Sequence, residues 1–201
     1  MADLGGNGRS GFTRILSSLS HLYFMLNYNS ADSFPILESE RLRMDLSVAN
    51  DAEAMMRLRS EEQVLRYVEI TRLHSKEEAL TFIQERWEGI LRGEHFLWAI
   101  RMKGNKELIG SISLWHFSED MNTAELGYML LAEYHGKGIM SEAISTVLDF
   151  GFNQLQFQMI EAFTHSQNEP SKAVLFKHGF THEPARKDDK NKNNWIYELR
   201  R

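Results

Sequence analysis

Cysteine is absent from all 201 residues. Disulfides, thiolate metal sites and a cysteine nucleophile are therefore excluded together. No apolar run reaches the ~18 residues of a membrane-spanning helix, so no membrane association is expected. A surplus of basic residues is missing too: 23 Lys and Arg stand against 28 Asp and Glu, for a net charge of -5. That argues against a nucleic-acid partner, whose phosphates demand a Lys/Arg excess. The eight histidines show no H-E-x-x-H spacing, so no metal is expected.

What is present describes an ordinary folded chain, 42% apolar and 25% charged, of a length suited to one domain. The opening is poor in core-forming residues. Gly5, Gly6, Gly8 and Gly11 with Ser10, Ser17, Ser18 and Ser20 predict a flexible leader over 1–34, expression-derived in part or read from an upstream start, with Met25 an alternative start. Residues 35–201 then form a single domain.

From Phe34 onward the pattern is regular. Residues 40–46 alternate polar and apolar as a half-buried strand does. Helical spacing follows over 48–60, with Ser47, Asn50 and Asp51 supplying capping chemistry. A second helix is predicted from Ser75 to Arg92, capped by Ser75, with Leu80, Ile83, Trp87, Ile90 and Leu91 as its buried stripe. The period then changes to two. Strands are predicted over 95–102 and 107–117, joined by a tight hairpin at Gly104-Asn105, and over 123–131 after the polar loop 118–122. A helix over 138–152, a strand over 157–164, a helix over 168–177 stopped at Gly179 and a last strand near 195–199 complete the chain. The mixed-sign run 186–192 predicts a solvated hairpin loop. The order implies an α+β fold, a mixed sheet with helices packed on it.

The sharpest local signal is His135-Gly136-Lys137-Gly138, which joins a strand to a helix. Two glycines allow a tight curl, and the first amides of the helix point outward without partners. With the positive end of the helix dipole they form a site for a pyrophosphate, to which Lys137 adds a charge. The turn is neither a P-loop nor a dinucleotide fingerprint.

The surrounding residues carry a resemblance. Leu130 to Ala143, containing His135-Gly136-Lys137-Gly138-Ile139-Met140-Ser141, resembles the acetyl-CoA motif Q/R-x-x-G-x-G/A of the GNAT superfamily. Upstream Glu125-Leu126-Gly127-Tyr128, downstream Asn168-Glu169-Pro170-Ser171 and Lys177-His178-Gly179-Phe180, and the opening Leu37 to Met44 resemble its ribosomal-protein N-acetyltransferase branch. The resemblance covers roughly 36–200. His135 stands where Gln or Arg is usual, and Met140 where Gly or Ala is usual.

The resemblance implies a mostly antiparallel mixed sheet of six to seven strands flanked by about four helices. It implies acetyl-CoA as cosubstrate, with Met129, Leu130 and Leu131 beside its pantetheine arm and a backbone N–H there polarising the acetyl carbonyl. The amides of Gly136, Lys137, Gly138, Ile139, Met140 and Ser141 would hold the pyrophosphate, and Asn168 and Ser171 would lie on the arm near the thiol. Asn168 is equally a helix cap. Glu125 is the candidate base that frees the acceptor amine of its proton, and Gly127 leaves space beside it. Other GNAT branches carry an acid tyrosine in the helix after Asn168, near the place held here by Phe176. Ser171 and Tyr134 therefore compete for the acid role, with Ser171 preferred.

The implied acceptor is a protein N-terminus or a small primary amine, set by loops 67–74 and 118–122. The implied setting is cytoplasmic, as monomer or homodimer. A CoA-binding regulatory module with little turnover is the alternative.

Overall fold

Where the hydrophobic period shortens in mid-chain, the structure passes from helices into a sheet. The computed structural model describes Tyr28 and residues 30–201; Met25 and most of the expected leader lie outside them. The strands are β1 (Leu37–Glu38), β2 (Leu42–Leu46), β3 (Phe96–Met102), β4 (Gly110–Trp115), β5 (Thr123–Leu130), β6 (Met159–His165), β7 (Thr181–His182) and β8 (Asn194–Arg200). The helices are α1 (Ala52–Leu58), α2 (Glu62–Leu65), α3 (Lys76–Leu91), α4 (Ile139–Asp149) and α5 (Glu169–Lys177). The sheet runs β1-β2-β3-β4-β5-β6-β8-β7, and every neighbouring pair is antiparallel except β5 with β6.

The sheet thus has eight strands where six to seven were expected. The opening strand turns on itself at Ser39–Arg41, so that Leu37 pairs with Met44. Two residues after Gly179 add β7 along β8. The extra helix is the one-turn α2.

Local chemistry explains most boundaries. Ser75 caps α3 by accepting from the Glu78 amide at 3.1 Å. The apolar stripe of α3 is rotated from the expected one: Ala79, Ile83 and Ile90 are buried, whereas Leu80 is 36% exposed. The tight hairpin at Gly104-Asn105 is not formed. Only Gly104 has a positive φ, +82°, and the β4 ladder begins later, at Gly110 opposite Ile100. The longer connection is held by the Arg101 guanidinium, whose Nη1 donates to the Lys106 carbonyl at 2.6 Å.

Two apolar clusters sandwich the sheet. On one face Phe96 and Trp98 of β3 stack at 5.2 Å, with Phe150 edge-on to both; Ile139, Ala143, Ile144 and Val147 of α4 join them. Phe34 is buried there, and Tyr28 meets Phe96 edge-on at 5.2 Å. Packed chain therefore begins ahead of the boundary expected at residue 35. On the other face α1 and α3 pack Met55, Leu58, Ala79 and Ile83 against Ala99, Leu108 and Leu131. No helix among the described residues is long and apolar enough to cross a membrane.

One ion pair ties α1 to the sheet. Arg101 meets Asp51 through Nη1 and Nη2, each at 2.7 Å, and Asp45 through Nε at 2.8 Å. Asp51 also accepts from the Val48 amide at 2.8 Å, so its capping role and its pairing are one arrangement. With side chains only 7% and 6% exposed, Arg101 and Asp51 are buried partners. Removing Asp51 leaves the buried Arg101 with the Nε contact to Asp45 as its one remaining counter-charge, at a cost of about 3 kcal/mol, the low end for breaking a buried pair. Asp51→Ala should lower the unfolding free energy by that amount in urea denaturation, and Val48→Ala, at an exposed position, by far less.

Candidate active site

The opening in the sheet follows from pairing. β5 and β6 are in register only from Thr123↔Met159 to Glu125↔Glu161. Beyond that β5 stays with β4 as far as Leu130↔Gly110, while β6 stays with β8 along its whole length to His165↔Asn194. Each strand follows its outer neighbour, so the two separate. Past Glu125, β6 supplies β5 with no ladder partner. A cavity of about 1220 Å³ occupies the gap, lined on one side by Gly127, Tyr128 and Met129 and on the other by Ala162 to His165, with Asn168 and Ser171 at its edge.

Glu125 sits where the strands part. Its side chain is 17% exposed, and Oε2 lies 2.9 Å from His116 Nδ1. Burial pushes the Glu125 carboxyl above its ordinary range, against the opposing pull of His116. Such a group is suited to take a proton near neutrality. His116 is held in position by stacking on Trp115 at 3.8 Å, and Trp115 faces Glu125 in the ladder. The space beside Glu125 that Gly127 was expected to leave is taken: a Cβ on Gly127 would lie 2.9 Å from Ser113 Oγ. Glycine here permits close approach of neighbours rather than an empty slot.

Across the gap, Asn168 caps α5 by accepting from the Ser171 amide at 3.2 Å. The Ser171 hydroxyl lies 2.7 Å from the Tyr128 hydroxyl. Burial pushes the Tyr128 phenol up to about 12, against the Ser171 hydrogen bond, so it keeps its proton at physiological pH. Ser171 and Tyr128 form a hydroxyl pair able to pass a proton. Tyr128 escaped the sequence reading because an alternating strand hides which tyrosine faces a neighbour's serine; only the splay brings it there.

The glycine turn lies apart from this cavity. Gly136 and Gly138 have φ of +72° and +74°, and a Cβ on Gly136 would meet nothing within 4 Å. Its surface is therefore open, as anion binding by backbone amides needs. His135 turns away, donating from Nε2 to the Leu130 carbonyl at 2.8 Å. Lys137 lies over the Tyr134 ring at 5.4 Å. Ile139 is buried, and Met140 packs on the core as its size requires. Ser141 Oγ meets His178 Nε2 at 3.0 Å, tying the start of α4 to the end of α5. Glu142 latches the turn to the β1–β2 corner: it accepts from Ser39 Oγ at 2.6 Å, the Arg41 amide at 2.8 Å and Arg41 Nε at 2.6 Å. Arg41 Nη1 also donates to the Lys137 carbonyl. Burial pushes the Glu142 carboxyl up, but these donors outweigh it and hold it below its ordinary range.

The sequence candidates therefore divide. Glu125, Met129, Asn168 and Ser171 line one cavity; Tyr134, Leu130, Leu131 and residues 135–141 do not. Leu131 gives its amide to the Ile109 carbonyl, so that amide is committed. Loop 67–74 reaches the cavity except at its last residue, and loop 118–122 does not. The run 186–192 is exposed apart from the half-buried Asp188 and Asn191, as expected of a solvated loop, and Arg186 anchors its start on Glu161 and Glu198. His178 and His182 stand four apart but separate beyond Gly179, the second stacking on Trp195. Among the described residues no group of three or more His, Asp or Glu is placed to hold a metal.

Residues 41–181 match the family described as the acetyltransferase (GNAT) domain. The uncharacterized N-acetyltransferase YoaA of Bacillus subtilis (strain 168) is 35% identical over 150 residues, covering 75% of this chain and 85% of that one. Among solved structures, the ribosomal-protein-S5-alanine acetyltransferase of Vibrio fischeri superposes with a TM-score of 0.70 at 22% identity, over 83% of this chain and 96% of that one. RimL, the ribosomal L7/L12 α-N-protein acetyltransferase solved with coenzyme A, gives 0.72 at 19%, over 83% and 98%. The chain belongs to the GNAT acetyltransferase family. It is an acyltransferase enzyme, and its sheet is that family's fold.

Because the buried Glu125 carboxyl holds its proton more tightly than it does unfolded, it favours the fold below its ordinary range. That contribution is lost as pH rises through its raised folded value. Glu125→Gln should match the wild type in stability near about pH 4 and exceed it near about pH 8, as read by thermal unfolding at both. A variant less stable than wild type at the higher pH would show that the His116 contact outweighs burial.

Proposed function

We propose that this enzyme moves an acetyl group from acetyl-CoA to a primary amine, a protein N-terminus or a small amine, by direct attack in a ternary complex. The observation that carries the reading is the joint presence of Glu125 and the Ser171–Tyr128 pair on the one opening where β5 lacks a ladder partner. Acetyl-CoA supplies an acetyl group on a thioester, activated for transfer to nitrogen. The unpaired edge of β5 near Met129 is suited to hold the pantetheine amides as another strand would. The open turn at Gly136 to Gly138 and the first amides of α4 are suited to the pyrophosphate.

A primary amine is an ammonium at neutral pH and has no lone pair. Glu125, raised by burial, takes one proton from the ammonium and so exposes the lone pair that attacks the acetyl carbon; a second proton leaves the nitrogen once the carbon–nitrogen bond has formed. A β5 amide facing the gap polarises the acetyl carbonyl. As the carbon–sulfur bond breaks, the departing thiolate takes a proton through the Ser171–Tyr128 pair, and the second proton shed by the acetylated nitrogen restores that pair. Tyr134 lies off the cavity and takes no part. The reading as a CoA-binding module without turnover gains no support: His135 and Met140, the two unusual residues, turn to the Leu130 carbonyl and to the core and leave the turn's surface open.

Thiol release from acetyl-CoA with a panel of amines tests the proposal; CoA binding without turnover on any amine would refute it. Glu125→Gln should lower turnover by roughly 10²–10⁴-fold with CoA affinity little changed, and the loss should shrink as pH rises and more acceptor is already neutral. Gly138→Val should act oppositely. A β-branched residue at a left-handed position costs about 1–2 kcal/mol, so the KM for acetyl-CoA should rise roughly tenfold while kcat is kept.

A further inference from the structure

The wall of the cavity opposite the sheet carries two cationic side chains that form no ion pair; the nearby Glu94 carboxylate feels the charge of Arg86 but is paired with Arg92. Arg59, at the end of α1, and Arg86, on α3, lie with their guanidinium carbons 4.2 and 5.2 Å from the centre of the Phe82 ring. The Nε atoms of both are buried and have no hydrogen-bond partner. Arg59 donates through Nη2 to the Thr71 carbonyl at 3.3 Å, which neutralises nothing. Seven other arginines, Arg41, Arg43, Arg57, Arg92, Arg101, Arg186 and Arg200, each meet a carboxylate, and those among the described residues that do not, Arg66, Arg72 and Arg201, are exposed to water. The acidic residues on this wall, Glu69, Glu77, Glu78 and Glu85, are exposed, and among the described residues none forms an ion pair with Arg59 or Arg86.

Two like charges held together in a partly dry pocket oppose folding. Burial and the charge of Arg86 bring the Arg59 guanidinium down to about 10. His95, beside them in the cavity, is pushed down to about 4 by burial and by Arg86, so it is neutral and the arginines alone carry the positive charge. Paired guanidinium forks match the oxygens of a carboxylate or a phosphate.

We propose that Arg59 and Arg86 form an anion-binding subsite in the acceptor half of the cavity, and that the acceptor is an amine bearing a carboxylate or phosphate group. This rests on the reading of the cavity as an acetyl-acceptor site. The ladder Leu97↔Ser113↔Gly127 sets the β3 end of the cavity two strand spacings from β5, about 10 Å. The anionic group therefore stands several bonds from the reacting nitrogen.

The test compares acceptors in pairs on the full chain: γ-aminobutyrate with butylamine, ε-aminocaproate with hexylamine, aminoethyl phosphate with ethanolamine. The anionic member should be preferred by roughly 100-fold in kcat/KM. That preference should collapse toward parity in Arg59→Met with Arg86→Met, mainly through KM, and persist in Arg57→Gln, whose charge lies outside the cavity. Carboxylate and phosphate acceptors acetylated with equal preference identify the shared oxyanion; preference for one identifies its source.

Because the two charges form no ion pair, the double variant should unfold at or above the wild-type temperature without ligand, and a clear fall would mark the pair as structural and overturn the proposal. So would equal use of charged and uncharged amines. If no amine is acetylated, the acetyltransferase reading has failed separately. The subsite is then read from glutarate and inorganic phosphate: stabilisation of the wild type but not of the double variant upholds an anion site. No stabilisation, or displacement of the anion by CoA, overturns it.

Discussion

The structure depends on how two parallel strands stop pairing. β5 and β6 share three ladder positions and then part, because β4 holds one and β8 holds the other by longer antiparallel registers. A separation of this kind leaves backbone donors and acceptors without partners inside a domain, which is costly unless a ligand or water serves them. It also opens a gap in the sheet between β5 and β6, which the cavity occupies. Glu125 sits at the fork, Tyr128 and Met129 on one edge, and α5 begins where the other edge ends. The chemistry is placed by strand pairing before any side chain is considered.

Around that opening the scaffold is tied down by charge. Arg101 with Asp51 and Asp45 fixes α1 to β3 and β2, which holds Arg59 over the cavity. Glu142, with Ser39 and Arg41, fixes the start of α4 to the β1–β2 corner. Ser141 with His178 links the same turn to α5. A helix start with the anion-binding role proposed above leaves its own amides free, so its position has to be secured from outside. These side chains supply that. Of the other arginines that line the cavity, Arg186 pairs with Glu161 and Glu198, and the exposed Arg72 donates to the Ser60 carbonyl; Arg59 and Arg86 differ from both in having a buried Nε without a partner.

Sequence periodicity located the major elements because each one buries a simple stripe or face: Ser75 and Asn168 cap the helices they were expected to cap, and β5 and β8 fall close to their expected ranges. The errors share a cause. The β1–β2 corner and the two-residue β7 are set by partners distant in sequence, as is the placing of Arg101, which Asp51 and Asp45 hold where it meets the longer β3–β4 connection; alternation within one strand carries no information about them. Leu80 looked buried because a stripe read from spacing cannot fix its own rotation.

Part of the site was legible from residue types, since Glu125, Asn168, Ser171 and the glycine turn stand in a recognisable order. Tyr128 was not, because its partner Ser171 is forty-three residues away and only the splay brings the two hydroxyls together. The arginine pair was not legible for the same reason: Arg59 and Arg86 belong to different helices, and their lack of ion pairs is a property of packing.

The central claim is that the unpaired edge of β5 and the turn at the start of α4 together receive the acetyl donor. Amide hydrogen exchange with and without acetyl-CoA tests this most directly. The account predicts that slowed exchange concentrates in residues 126–130 and 136–141, with β2 and β3 unchanged. Protection confined to α1, α3 and loop 67–74, with β5 and the turn unaffected, would contradict it.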